Sequence, residues 1–89
     1  MSKINVLVCE PGGKMEIREI DNTLEAMQEI VGGYIEVIPL GGDAGLVCVC
    51  NEEGKLMGLP TSINVWNEPV AGTCFICKDA GEEFGSITE

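Results

Sequence analysis

Residues 22–38 read NTLEAMQEIVGGYIEVI and contain the change from helix to strand that decides the fold. Asn22 is predicted to be the N-cap of a helix that runs to Val31, and Glu25 completes a capping-box pattern. The apolar residues of this helix form a single stripe: Leu24, Met27, Ile30 and Val31. Gly32 is predicted to end the helix in the left-handed conformation. Because so short a helix is marginal alone, it must pack on a sheet.

Strand patterns lie on both sides of this helix. Six runs are rich in apolar or alternating residues: 4–8, 15–20, 34–40, 45–50, 55–57 and 70–77. Pro-Gly-Gly turn chemistry joins the first two into a hairpin. Pro39 is expected to end its strand or to place it at a sheet edge. The turn at residues 51–54 predicts a hairpin that joins 45–50 to 55–57. Residues 58–69 show little regularity, and the tail has room for a short edge strand around 84–87.

The order of elements is therefore β-β-α-β-β-β-β. Because few strands alternate with helices, a parallel crossover sheet is not favoured. The sequence predicts an α+β fold, with a mainly antiparallel (mixed) sheet of about five to six strands and one helix packed on a face. At 89 residues, the chain is expected to be a single domain, residues 1–89, with one small core.

Composition and charge exclude several classes of function. The chain has 5 Lys and Arg against 15 Asp and Glu, a net charge of −10 that disfavours direct binding to nucleic acid. A hydrophobic content of 45% argues against disorder. The apolar runs are too short to span a membrane, and no signal-peptide pattern is present, so a cytoplasmic location is expected. Histidine is absent, which removes the commonest general base, and we expect no enzymatic activity.

The five cysteines raise the question of a metal site. Cys48 and Cys50, with Cys74 and Cys77, could supply four thiolates to a structural zinc ion. In strands, however, Cys48 and Cys50 point to one face, whereas Cys74 and Cys77 point to opposite faces. The spacing therefore favours small buried apolar side chains over a zinc site or a thioredoxin-like motif, and no metal or other cofactor is expected.

Tyr34, Glu36 and Trp66 are the side chains that most suggest binding. Tyr34 and Glu36 share one face of a predicted strand, where the carboxylate could accept hydrogen bonds from hydroxyls or amines; a solvated strand face is the alternative. Trp66 lies in the irregular stretch, where a tryptophan either anchors a partner or closes one end of the core. The glycine pairs follow helices or turns and do not form a phosphate-binding loop.

Two segments carry a resemblance to a known family. VGGYIE at residues 31–36 and NEEGKLMGLP at 51–60 resemble segments of a family of small bacterial and phage domains of unknown function. GTCF at residues 72–75 is similar to its late strand. The resemblance covers nearly the whole chain and implies an origin in phages or other mobile elements of Gram-positive bacteria. It implies no catalytic residue.

These observations predict a non-enzymatic cytosolic binding or accessory protein of a phage or mobile element, with a host-interaction or anti-defence role. Its partner would be a host or phage protein, and an open sheet edge makes a homodimer plausible. The candidate binding residues are Gly33, Tyr34, Glu36, Asn51, Glu52, Glu53, Gly54 and Trp66. Two alternatives stay open: an acidic DNA-mimic inhibitor, and a small-ligand binder that sequesters a nucleotide signal.

Overall fold

The computed structural model describes residues 3–42, 45–79 and 84–87. Within these ranges, the chain forms one helix and eight strands. The elements are β1 (Lys3–Cys9), β2 (Met15–Asp21), α1 (Leu24–Val31), β3 (Ile35–Gly41), β4 (Leu46–Asn51), β5 (Thr61–Val65), β6 (Glu68–Ala71), β7 (Cys74–Asp79) and β8 (Phe84–Gly85).

The main sheet has six strands in the order β2-β1-β7-β4-β3, with β8 paired to β7. Each of these pairings is antiparallel. Strands β5 and β6 form a separate two-stranded sheet. The predicted α+β class, with one helix and a mainly antiparallel sheet, is confirmed.

The two faces of the main sheet carry two separate cores. On the helix face, Met27 and Val31 of α1 pack with Val6, Val49 and Phe75. On the opposite face, which we call the hairpin face, buried residues of β5 and β6 pack over the sheet. The buried residues of this second core are Cys9, Cys48, Cys50, Val65, Val70 and Cys74. Strand β4 therefore lies at the centre of a three-layer arrangement, with Val47, Cys48, Val49 and Cys50 all buried.

The helix begins one residue later than the capping pattern suggested. Thr23, not Asn22, is the N-cap, and its hydroxyl accepts a hydrogen bond from the Ala26 amide at 3.1 Å. The side-chain amide of Asn22 instead donates a hydrogen bond from Nδ2 to the Phe84 carbonyl at 3.2 Å, which connects the start of the helix to β8. Leu24 is 56% exposed and so does not join the buried stripe. The left-handed C-cap at Gly32 is confirmed, with φ of 82°.

The predicted strand at residues 55–57 is wrong. Both edges of β4 are already paired, with β3 on one side and β7 on the other, so no edge is left for a hairpin partner. Residues 52–58 form turns instead. Because β4 is buried on both faces and paired on both edges, a local hairpin pattern there was overridden by tertiary pairing.

The predicted lack of regularity over residues 58–69 is also wrong. Most of this stretch belongs to the β5–β6 hairpin, whose two-residue connection is Trp66-Asn67. Both connecting residues have positive φ, 53° and 62°, as a type I′ turn requires. Gly72, with φ of 87°, then divides the predicted strand 70–77 between β6 and β7.

The edge position of Pro39 is confirmed. It lies in β3, which is the last strand of the main sheet, and the pairing with β4 shifts register between Pro39 and Gly41. The short strand predicted near residue 84 is present as β8. Of the helices in the described ranges, none has the length and apolar character needed to cross a membrane.

Candidate functional site

A cavity of about 290 Å³ lies between β3, β4, the turn after β4 and the β5–β6 hairpin. Its exposed charged residues are Glu36, Glu52, Lys55 and Glu68. Its less exposed apolar residues include Ile38, Cys50, Val65 and Val70. We call this cavity the acidic pocket; its lining also includes Asn51. The fold thus brings segments more than 30 residues apart in sequence around one concave surface.

The charges of the acidic pocket are unbalanced. Glu36, Glu52 and Glu68 contribute carboxylates, against the single ammonium of Lys55. Lys55 Nζ lies 3.3 Å from Glu68 Oε2, but both side chains are largely exposed, so this ion pair contributes little to stability. A concave surface with an excess of one charge attracts ligands of the opposite charge. The acidic pocket therefore suits a cationic group whose apolar part contacts the pocket floor, which is formed by the less exposed residues Ile38, Cys50, Val65 and Val70.

Asn51 lines the cavity, but its side-chain amide is occupied by internal hydrogen bonds. Its Nδ2 donates to the Val31 carbonyl at 3.2 Å and lies 3.5 Å from Met57 Sδ. Its Oδ1 accepts a hydrogen bond from the Glu53 amide at 2.8 Å. This buried side chain joins the end of α1 to the turn that follows β4. The structure thus gives Asn51 a role in positioning one wall of the acidic pocket.

Gly33 and Gly54 sit where other chain segments approach closely. A Cβ on Gly33 would lie 3.0 Å from Asn51 Nδ2. A Cβ on Gly54 would lie 2.5 Å from the backbone oxygen of Ala71 in β6. Larger residues at either position would displace a wall of the acidic pocket, so both glycines shape the cavity without lining it.

The other predicted binding residues lie outside the pocket lining. Tyr34 is 67% exposed, and its carbonyl accepts a hydrogen bond from the Glu52 amide at 2.9 Å. Glu53 is exposed in the turn. Trp66 lies at the hairpin tip, where its Nε1 donates to the Pro39 carbonyl at 2.9 Å. Of the eight predicted residues, the structure brings Glu36, Asn51 and Glu52 to the acidic pocket.

Sequence reasoning missed Glu68 and Lys55 as charged members of the pocket. The reason is that the β5–β6 hairpin was not recognised, so Glu68 had no predicted position. Residues 61–65 and 68–71 flank Trp66-Asn67, and Asn is a residue that tolerates the positive φ of a two-residue hairpin turn. That signal could have found the hairpin.

Four thiols gather on the hairpin face of the main sheet: Cys9, Cys48, Cys50 and Cys74. Cys77 instead packs in the core on the helix face. The predictions that Cys48 and Cys50 share a face, and that Cys74 and Cys77 do not, are confirmed. Sequence reasoning missed Cys9, although the alternation of β1, with Val6 and Val8 on the helix face, would have placed it. In the described ranges, no group of three or more Cys, Asp or Glu side chains is arranged to hold a metal ion.

Hydrogen bonding within this cluster separates the pKa values of its thiols. Interactions with the side chains of Cys48, Ser62 and Cys9 outweigh the effect of burial and lower the pKa of Cys74 to about 7. Ser62 Oγ lies 3.5 Å from Cys74 Sγ. Burial, with Cys74 as neighbour, raises the pKa of Cys9 to about 11. Burial likewise raises the pKa of Cys77 to about 11. On the hairpin face, the pKa values of Cys74 and Cys50 are thus both lowered, that of Cys50 by hydrogen bonding with Cys48, whereas that of Cys9 is raised.

Comparison with known proteins gives one family assignment. No curated protein and no solved structure matches the chain. A family model described as a domain of unknown function, DUF3846, matches residues 4–89 and so includes every element of the fold except the first residue of β1. Because the match extends over nearly the whole chain, the protein belongs to the DUF3846 family of domains of unknown function.

Proposed function

We propose that this protein is a non-enzymatic binding protein whose acidic pocket receives a basic side chain and its apolar neighbour from a partner protein. The observation that carries the proposal is the arrangement of three carboxylates, those of Glu36, Glu52 and Glu68, around an apolar floor. The resemblance to mobile-element proteins supports a host or phage protein as the partner, with an accessory or anti-defence role in the cytoplasm.

The chemistry of the floor and of the charged residues selects the kind of side chain. Ile38, Val65 and Val70 offer apolar contact, and Glu36 adds a carboxylate acceptor to the lining of the same cavity. Long basic side chains bury an apolar stem while their charged head stays near water or carboxylates. Arginine can also hold a carboxylate with two hydrogen bonds, which adds geometric selectivity. An arginine next to an aromatic or aliphatic residue therefore fits the acidic pocket best.

The net charge of the whole chain also favours a basic partner. A net charge of −10 attracts basic surfaces over distances longer than a direct contact. Charges around an interface mainly raise the association rate, whereas the buried contacts set the dissociation rate. The overall charge would therefore speed the encounter, and the acidic pocket would decide which segment stays bound.

The dimensions and charge of the pocket favour a protein side chain over a nucleotide signal. A volume of about 290 Å³ is just below the range for small-molecule sites, about 300–1,000 Å³. Three carboxylates would repel the phosphates of a nucleotide. The other alternative, an acidic DNA mimic, needs carboxylates in a row, yet acids also lie on β2 and α1, away from the pocket. No specific observation favours either alternative.

Selection of peptides from a random display library on the purified protein tests the proposal. We expect the selected peptides to be enriched in arginine or lysine beside an aromatic or aliphatic residue. For one such peptide, calorimetry should show at least about tenfold weaker binding to the double variant Glu36→Gln, Glu68→Gln, a loss of about 1.4 kcal/mol.

The matched control is the double variant Glu19→Gln, Glu25→Gln, which changes the net charge equally at exposed positions on β2 and α1. The control should bind the peptide nearly as well as the wild type. Equal weakening in the two double variants would mean that only net charge matters, and the pocket proposal would be abandoned. Selected peptides without basic residues would contradict it as well.

A further inference from the structure

We propose that Cys9 and Cys74 form an oxidisable dithiol that closes to an intrachain disulfide on reaction with a hydroperoxide. The two residues face each other in the antiparallel pairing of β1 with β7, and their side chains contact each other on the hairpin face. This inference is independent of the binding proposed for the acidic pocket.

The backbone already has the separation that a disulfide needs. Directly opposed residues of antiparallel strands have Cα atoms about 4.5–5.5 Å apart. Disulfides span Cα separations of about 4.4–6.8 Å. Because Cys9 and Cys74 are register partners, the bond can form without a change in strand pairing.

The other cysteines are less well placed, and all five lie within the described ranges. Cys77 is in the core on the opposite face of the sheet. Cys48 is paired in register with Ile76, not with a cysteine. Cys48 and Cys50 are two residues apart in one strand, a Cα separation of about 6.6 Å that is close to the upper limit for a disulfide. The β4–β7 pairing ends at Val49 and Phe75, so Cys50 lies near Cys74 but one residue beyond the last register pair. Cys9 is therefore the cysteine that strand pairing places directly opposite Cys74.

Cys74 is the nucleophile of the pair. Ser62 Oγ lies 3.5 Å from its sulfur, and interactions with Cys48, Ser62 and Cys9 lower its pKa, which favours the thiolate, the form of cysteine that attacks a peroxide. Cys9, whose pKa is raised by burial, is protonated in the resting pair and gives up its proton to the departing hydroxide when it resolves the oxidised intermediate. The ionised thiol of Cys74 therefore attacks the peroxide, and the neutral thiol of Cys9 forms the disulfide in the second step.

The reaction balances with hydrogen peroxide as the oxidant. The Cys74 thiolate attacks one peroxide oxygen and the O–O bond breaks, which leaves Cys74 as a sulfenic acid; the departing hydroxide takes up the proton that Cys74 released on ionising and becomes water. The Cys9 sulfur then attacks the Cys74 sulfur, the S–O bond breaks, and the Cys9 proton leaves with the hydroxide as water. In total, two thiols lose two electrons and two protons, and the peroxide becomes two waters.

The β5–β6 hairpin controls access to this dithiol. Ser62 of β5 contacts Cys74, and Val65 and Val70 belong to the same buried cluster. The hairpin is a two-stranded sheet of its own, a unit with little stability apart from its packing. Local opening of such a unit needs less free energy than global unfolding, so a small oxidant can reach Cys74 while the main sheet stays intact.

Peptide mapping of the native protein after treatment with hydrogen peroxide and alkylation tests the inference. We expect one species that has lost two hydrogen atoms, with Cys9 linked to Cys74 and Cys77 still alkylated. Dithiothreitol should restore all five thiols. The control variant Cys77→Ala should form the same linkage, whereas Cys9→Ser should stop at a Cys74 sulfenic acid that dimedone traps.

The wild-type peptide map decides the question even if a variant fails to fold. A linkage dominated by any other pair of cysteines would overturn the inference. So would parallel oxidation of all five thiols, because that pattern would indicate reaction from the unfolded chain. Thiols that resist peroxide in the native protein but react in denaturant would overturn it too.

Discussion

The side-chain amide of Asn51 lies against the backbone of Gly33, with Nδ2 only 3.0 Å from the position that a Cβ on Gly33 would occupy. The same amide holds the last carbonyl of α1, that of Val31, at 3.2 Å. This contact joins residues 31–36 to residues 51–60 and so forms one packed junction between the helix end, the edge strand and the turn.

Replacement of Gly33 by alanine should destabilise the protein by about 1–2 kcal/mol. The added methyl group would press on Asn51, whose hydrogen bonds to Val31 and Glu53 prevent it from moving aside. Urea unfolding followed by circular dichroism would measure the loss. A stability equal to the wild type would show that the junction is less tightly packed than the structure indicates.

Replacement of Asn51 by alanine should cost about 1–3 kcal/mol, because it leaves the Val31 carbonyl and the Glu53 amide without their partner. The double variant Gly33→Ala, Asn51→Ala should lose less than the sum of the single losses, since the second change removes the group that the methyl presses on. Strict additivity in a double-mutant cycle would contradict direct contact.

Replacement of Gly54 by alanine should reduce stability by about 2–3 kcal/mol. A Cβ there would lie 2.5 Å from the Ala71 backbone oxygen, so the turn would have to move away from β6. Gly58→Ala is the comparison: it has open space but a φ of 71°, so it should lose only about 1 kcal/mol from backbone strain. Equal losses in the two variants would argue against the close approach.

Replacement of Trp66 by phenylalanine should loosen the hairpin. The change keeps an aromatic ring near Gly41 but removes the hydrogen bond from Nε1 to the Pro39 carbonyl, which is worth about 0.5–1.5 kcal/mol. Because the hairpin covers Cys74, peroxide should oxidise the variant several-fold faster than the wild type. An unchanged oxidation rate, measured by thiol titration, would show that the oxidant enters by another route.

The rate of peroxide oxidation should rise with pH and level off above a midpoint of about 7, the pKa to which interactions with Cys48, Ser62 and Cys9 lower that of Cys74. The sign follows from the nucleophile: deprotonation produces the reactive thiolate, and no further thiolate forms above the pKa. Ser62→Ala removes one donor and should move the midpoint to higher pH. A rate that keeps rising to about pH 9 would indicate an ordinary thiol.

The sequence predicted the elements whose signals are local. The helix end at Gly32 and the edge position of Pro39 follow from backbone conformations that only these residue types favour or forbid. The faces of Cys48 and Cys50 follow from the two-residue period of a strand. Glu36 was placed among the candidate residues for the same reason and does line the pocket.

The turn after β4 and the position of Glu68 in the pocket could not be predicted, because they depend on which strands pair. The residues after β4 carry a hairpin pattern, but both edges of β4 are taken by β3 and β7. The hairpin that carries Glu68 has a local turn signal, but its packing over the main sheet is a long-range contact without one.

The fold class, the position of the helix and the alternation of faces along each strand can be predicted from the sequence, because they depend on local conformation and periodicity. The placement of Cys9 opposite Cys74, and of Glu36 and Glu68 around one cavity, depends on long-range strand pairing and packing. The residues of each pair come from separate strands, and they become neighbours because both faces of the central sheet are buried. The pattern within a single segment does not indicate which segments will pack together.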